Sequence, residues 1–237
     1  MIRAAASAGA VAVSQLLLGE DFHVLDSTAG WAWGYSGHDH YVGYVRQDAL
    51  SEPTTPSHLV SAREALLFER ADIKSPAAMS LSLGARLAGE MEGDFLKTAF
   101  GFVHARHVMP VGQKREDAVA TAAQLIGAPY LWGGRGAGGV DCSGLVQVAL
   151  ALAGIACPRD SDQQREAIGR ELDAGEPLKR GDLVFFPGHV GFMADDTSLL
   201  HANAWWMSVT IEPLQHVVDR LLPKYEQPVL ARRRPAP

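Results

Sequence analysis

One of the two cysteines in this 237-residue chain stands where a thiol can become a nucleophile. Asp141-Cys142-Ser143-Gly144 opens an apolar stretch in which Leu145, Val146, Ala149 and Leu152 recur at helical spacing, with Gly154 as its stop. Asp141 is then a natural N-cap. A thiol in the first helical turn faces unpaired backbone N–H groups and the positive end of the helix dipole, and both favour the thiolate. An imidazole completes such a nucleophile by taking its proton, and a polar group on the far ring nitrogen fixes the tautomer. His189, opening the strand-like His189-Val190-Gly191-Phe192, is the candidate base. His201 lies 12 positions on in the next strand-like segment and is the candidate orienter, because adjacent antiparallel strands can bring such residues together. The backbone N–H of Cys142 and the hydroxyl of Tyr130 are candidates for an oxyanion hole.

Blander readings compete. A lone cysteine before a helix is commonly a small buried apolar group, and Cys157, within Gly154-Ile155-Ala156-Cys157, is read that way. Zinc could take Cys142, His189 and His201, but no CxxC or HExxH accompanies them, so neither metal nor cofactor is expected. Gly134-Arg135-Gly136-Ala137-Gly138-Gly139 fits a dinucleotide fingerprint literally, yet no strand precedes it and no βαβ unit surrounds it. It is read as a flexible loop giving substrate access to backbone. His38-Asp39-His40 and His104-Ala105-Arg106-His107 are read as turn and surface positions.

The elements that must position these residues fall into two textures. Residues 1–112 carry short apolar segments between turns, such as Ser14–Leu18, Phe22–Leu25, Trp31–Trp33 and Tyr41–Val45, which suggests small β-barrels or sandwiches. Ser51-Glu52-Pro53-Thr54-Thr55-Pro56 reads as a linker between two halves. The halves echo each other: Leu18-Gly19-Glu20 and Gly43-Tyr44-Val45 in one, Leu83-Gly84-Ala85 and Gly101-Phe102-Val103 in the other. From Lys114 the periodicity predicts a helix over Glu116–Ile126, a second over Cys142–Ala153, then strands at Asp182–Phe186, His189–Ala194, Leu199–Ala202 and Ser208–Ile211. Helices followed by strands indicate an α+β domain with an antiparallel sheet.

A hydrophobic fraction of 47% supports a sizeable core, and a formal charge of −6 gives no reason to expect nucleic acid. Arg232-Arg233-Arg234 is read as a solvated tail. Ser7, Ser14 and Gln15 interrupt the apolar start, so no signal peptide is expected, and no stretch approaches the roughly 20 apolar residues that span a membrane.

Four separated motifs resemble the NlpC/P60 cysteine peptidases: Gly127-Ala128-Pro129-Tyr130-Leu131-Trp132-Gly133-Gly134, Asp141-Cys142-Ser143-Gly144-Leu145-Val146, Gly181-Asp182-Leu183-Val184-Phe185-Phe186 and Gly188-His189-Val190-Gly191. The resemblance implies a papain-like catalytic domain over 113–237 with a Cys-His-His triad on Cys142, His189 and His201. The preceding residues resemble the tandem bacterial SH3 modules of γ-D-glutamyl-L-diamino-acid endopeptidases, through Leu16-Leu17-Leu18-Gly19-Glu20 and Tyr41-Val42-Gly43-Tyr44-Val45. This implies one small SH3-like β-barrel over 1–52 and a divergent second over 57–112. It further implies that Glu20, Tyr41 and Asp141 hold the free amine of an N-terminal L-alanine, while Ser143, Asp160 and Ser161 bind the rest of the peptide. The expected function is hydrolysis of the γ-D-glutamyl–diaminopimelate amide in murein peptides, in a cytoplasmic recycling role with no membrane partner. The alternatives are an exported hydrolase of intact wall and a non-catalytic wall-binding protein.

Overall fold

The computed structural model describes residues 1–236 and divides them into two compact units. The first comprises Met1–Gln113 together with Arg135–Gly138, and the second Lys114–Gly134 with the described residues from Gly139 onward.

The first unit is built of short antiparallel strands. β1 (Ile2–Arg3), β2 (Ala12–Ser14), β3 (Phe22–Thr28), β4 (Trp31–Ser36) and β5 (Val42–Arg46) form a sheet in the order β2-β1-β5-β4-β3 around Ile2, Ala32 and Val45. The first strands thus lie ahead of the expected Ser14–Leu18, because Ile2 supplies a fully buried core side chain there. Downstream follow β6 (His58–Val60), β7 (Glu64–Phe68), β8 (Ala77–Ser82), β9 (Arg86–Leu87), β10 (Gly89–Glu92), β11 (Phe95–Thr98), β12 (Gly101–His104) and β13 (Val108–Pro110). They make a five-stranded sheet, β10-β11-β12-β7-β8, and a three-stranded one, β13-β6-β9. A separate core of Val60, Leu67, Leu81, Leu87, Leu96 and Val103 sits here. Both β5 and β12 run directly into a single 3₁₀ turn, Gln47–Ala49 and Ala105–His107.

The glycine-rich segment is packed rather than open. Its β14 (Arg135–Gly136) belongs to the first unit, where Arg135 is 2% exposed. The Arg135 guanidinium grips both oxygens of Glu20, at 2.6 and 3.0 Å, and the Gln15 carbonyl at 2.8 Å. A buried guanidinium needs such acceptors, so the loop is fixed by charge. His38 is likewise no surface residue: its side chain is 14% exposed and lies 3.8 Å from Glu20 and 3.2 Å from Asp39.

The second unit contains α1 (Ala118–Ala123), β15 (Gly139–Val140), α2 (Cys142–Leu152), α3 (Ser161–Ala167), β16 (Arg170–Glu171), β17 (Leu183–Phe186), β18 (His189–Met193), β19 (Ser198–Asn203), β20 (Ser208–Pro213), α4 (Leu214–Leu221) and β21 (Ala231–Arg234). α1 is shorter than its periodicity predicts, because its end tightens into three-residue bonds from Gln124 to Thr121 and from Leu125 to Ala122. The last six strands form one antiparallel sheet in the order β16-β21-β17-β18-β19-β20, and α2 packs against β18 and β19. Arg232–Arg234 is therefore not a solvated tail. It lies in β21, paired with β16 and β17, and Arg234 bonds Asp182 at 2.7 Å and Glu176 at 2.6 Å. Among the described residues no helix is long and apolar enough to cross a membrane.

Glu20→Ala would leave the buried Arg135 without its carboxylate and should destabilise the first unit by about 3–5 kcal/mol in urea denaturation. Glu20→Gln, which keeps one acceptor oxygen, should cost less. Equal stability of Glu20→Ala and the parent would show that the pair contributes nothing.

Candidate active site

Cys142 opens α2, as its pattern predicts, and is 6% exposed. The Asp141 carboxylate caps the helix by accepting from the Gly144 N–H at 2.8 Å and ties in the preceding turn through the Gly133 N–H at 2.8 Å. Arg159 closes on it from the other side, with Nη2 2.6 Å from Oδ2 and Nη1 3.0 Å from Oδ1, and also donates to the Ser143 hydroxyl at 2.8 Å. Burial opposes the Arg159 charge, but the Asp141 carboxylate outweighs it. Gln164 on α3 donates to the Ser143 and Pro158 carbonyls at 3.0 and 2.8 Å. Asp160 stands at the start of α3, with Ser161 as its first helical residue.

Placement at a helix start does not by itself make this thiol a thiolate. Burial pushes Cys142 up to about 11 and the Asp141 charge adds to it, against the opposing pull of the Val190 and Ser143 N–H groups and of Arg159. The Val190 N–H at the sulfur places β18 beside Cys142.

A tight Pro187-Gly188 turn, with Gly188 at φ +67°, pairs Phe186 with His189 and so starts β18 on the candidate base. The strands β18 and β19 pair through Phe192 with Leu200 and Met193 with Leu199. That register sets Gly191 beside His201, and a Cβ on Gly191 would come within 2.9 Å of the His201 Cβ. Across the gap left by the missing side chain, His189 Nε2 meets His201 Nδ1 at 2.7 Å. His201, 1% exposed, continues through Nε2 to Glu212 Oε1 at 3.0 Å, and Arg220 Nη2 holds the same oxygen at 2.6 Å. The Arg220 guanidinium lies 4.9 Å from the Trp205 ring centre.

Burial, followed by the neighbouring His201, holds His189 down to about 3. His201 is lowered by burial while Glu212 pulls it upward. Glu212 is lifted by burial, but its bonds from Arg220 and His201 prevail and keep it ionised. At neutral pH Cys142 therefore rests as a thiol and His189 as a neutral imidazole. Tyr130 is half-buried, and burial with the charges of Cys142 and Asp141 raises its phenol, leaving an O–H donor.

The second unit thus gathers Asp141, Cys142, Ser143, His189 and His201, while Glu20 and Tyr41 belong to the first unit. There Glu20 is engaged by Arg135, and the Tyr41 backbone N–H donates to Ser36 Oγ and Asp39 Oδ1, each at 3.1 Å. Sequence reasoning missed Arg159, Gln164, Glu212 and Arg220. A buried N-cap carboxylate demands a cation, which could have pointed to Arg159. The β19–β20 register, with His201 opposite Thr210, places Glu212 on the His201 face. Among the described residues no three His, Cys, Asp or Glu side chains gather as metal ligands would.

Residues 127–220 match the NlpC/P60 family, and residues 2–50 match the bacterial dipeptidyl-peptidase Sh3 domain. The chain is 31% identical over 214 residues to the gamma-D-glutamyl-L-lysine dipeptidyl-peptidase of Bacillus subtilis (strain 168), covering 82% of this chain and 69% of that protein. It is 35% identical over 123 residues to dipeptidyl-peptidase 6 of Lysinibacillus sphaericus, covering 52% of this chain and 44% of that one. The crystal structure of an NlpC/P60 family protein from Bacillus cereus ATCC 10987 superposes with a TM-score of 0.80 over 95% of this chain and 82% of its own, at 24% identity.

A thiol raised to about 11 ionises progressively as pH rises. Alkylation of Cys142 by iodoacetamide should therefore keep climbing from about pH 7 to about pH 10; a plateau from neutrality upward would instead reveal a preformed ion pair. Gly191→Ala should push His201 out of line and lower turnover by roughly a hundredfold. An alanine variant as active as the parent would show that the close approach is not needed.

Proposed function

Because the chain belongs to the NlpC/P60 family, we propose that it is a cysteine peptidase cleaving the amide between γ-D-glutamate and the following diamino acid, diaminopimelate, in short murein peptides with a free N-terminal L-alanine. The observation that carries this reading is the Cys142 sulfur at the start of α2, bonded by the Val190 N–H, with His189 and His201 joined at 2.7 Å on the adjoining strands. In the first step Cys142 Sγ attacks the γ-glutamyl carbonyl carbon and its proton passes to His189. The Cys142 N–H and the Tyr130 hydroxyl stabilise the oxyanion. Collapse breaks the C–N bond as His189 gives its proton to the departing amine, leaving a thioester on Cys142. Water, deprotonated by His189, then releases the acid and restores the thiol.

The demand for a free amine rests on the family resemblance of Glu20, Tyr41 and Asp141, and binding of the remaining peptide on that of Ser143, Asp160 and Ser161. Glu20 and Asp141 each hold an arginine, which fixes the position of both carboxylates. The same reading makes 57–112 a second SH3-like module and, because the substrate is a small released peptide, places the enzyme in the cytoplasm.

The test incubates the protein and its Cys142→Ala variant with L-Ala-γ-D-Glu-diaminopimelate, the lysine analogue, an N-acetylated copy and intact sacculi. Release of L-Ala-γ-D-Glu from the free peptides by the parent alone is expected, with the acetylated copy cut at least tenfold more slowly, about 1.4 kcal/mol of discrimination. Equal rates on both forms would remove the amine requirement, and preferential attack on sacculi would favour a wall hydrolase.

A further inference from the structure

The contacts behind His201 deepen this reading and rest on it only for the identity of the base. Glu212 is an ionised carboxylate held at 2.6 Å by Arg220, so it can accept hydrogen bonds and cannot donate one. The hydrogen in its 3.0 Å contact with His201 must then sit on His201 Nε2. A neutral imidazole carries one N–H, so His201 Nδ1 is a bare acceptor. The 2.7 Å contact between His201 Nδ1 and His189 Nε2 therefore takes its hydrogen from His189. That uses the one N–H of His189 and leaves its Nδ1 lone pair free.

We propose that Glu212 is a positioning residue: through His201 it sets the tautomers of both imidazoles, so that His189 Nδ1 is the atom that takes the proton of Cys142. Without Glu212 the pair can reverse, with His201 Nδ1 donating to His189 Nε2. His189 Nδ1 then carries the hydrogen and can only donate, unable to accept a proton from Cys142. The charged groups acting on His201 are Glu212 and Arg220, and Arg220 is itself braced over Trp205. The orienter of the base thus has an orienter of its own, on β20, whose carboxylate is anchored from α4.

The direct test is a long-range ¹⁵N–¹H correlation spectrum of the full chain labelled at histidine, assigned with His189→Gln and His201→Gln, which distinguishes protonation at Nδ1 from that at Nε2. The parent should show both imidazoles protonated at Nε2; a parent spectrum with His201 protonated at Nδ1 overturns the proposal outright. Glu212→Leu should shift the pair toward the reversed tautomers and lower kcat by roughly a hundredfold with little change in KM. Glu212→Gln keeps an acceptor oxygen and should retain activity within roughly tenfold of the parent. Equal losses in the two variants, or parent-like tautomers in Glu212→Leu, would count against the assignment. Should Glu212→Leu fail to fold, the parent and Glu212→Gln spectra decide the question. A parent that cleaves none of the murein peptides sinks the proposed substrate but leaves the spectroscopic result standing, so the two failures are distinguishable.

Discussion

The carboxylate of Asp141 is the constraint on which the second unit's site depends. It joins the N-terminus of α2, the Gly133 turn before it and the Arg159 segment after it. None of these is held there by apolar packing alone, since Asp141 and Arg159 are both buried and each would be costly without the other. Fixing the first turn of α2 fixes the Cys142 sulfur and the backbone N–H beside it. The helix in turn settles on β18 and β19, which carry the two histidines.

Burial has opposite effects on the two partners in the proposed chemistry. It raises the thiol and lowers the imidazole, so the resting pair is uncharged. The interior that disfavours a standing ion pair also makes the pre-set N–H groups and the Tyr130 hydroxyl more effective once negative charge develops. The fold accordingly supplies fixed dipoles and a defined acceptor in place of a permanent thiolate.

Much of this was legible along the chain. The strands β17 to β20 fall within a residue or two of expectation, because turn residues such as Pro187-Gly188 bound short apolar runs, and the Asp141 cap with its apolar stripe marks α2. What escaped notice depends on pairing between distant segments. Three arginines in a row look like a solvated tail until Asp182 and Glu176 are placed beside them. A glycine-rich loop looks flexible until Arg135 finds Glu20. Glu212 and Arg220 carry no local signature of their relation to His201, since only the strand register and the docking of α4 create it.

The pairing of β21 bears on how the protein is made. Cys142, His189 and His201 all leave the ribosome before Ala231–Arg234, yet β21 is the strand that covers β17 and separates it from β16. A nascent chain already carrying every residue of the proposed triad therefore still exposes the open side of β17, whose Leu183-Val184-Phe185-Phe186 is fully apolar. Such an edge invites pairing with other chains. The late-arriving strand closes that edge, and beyond it only the two-residue β16 is left at the margin on that side.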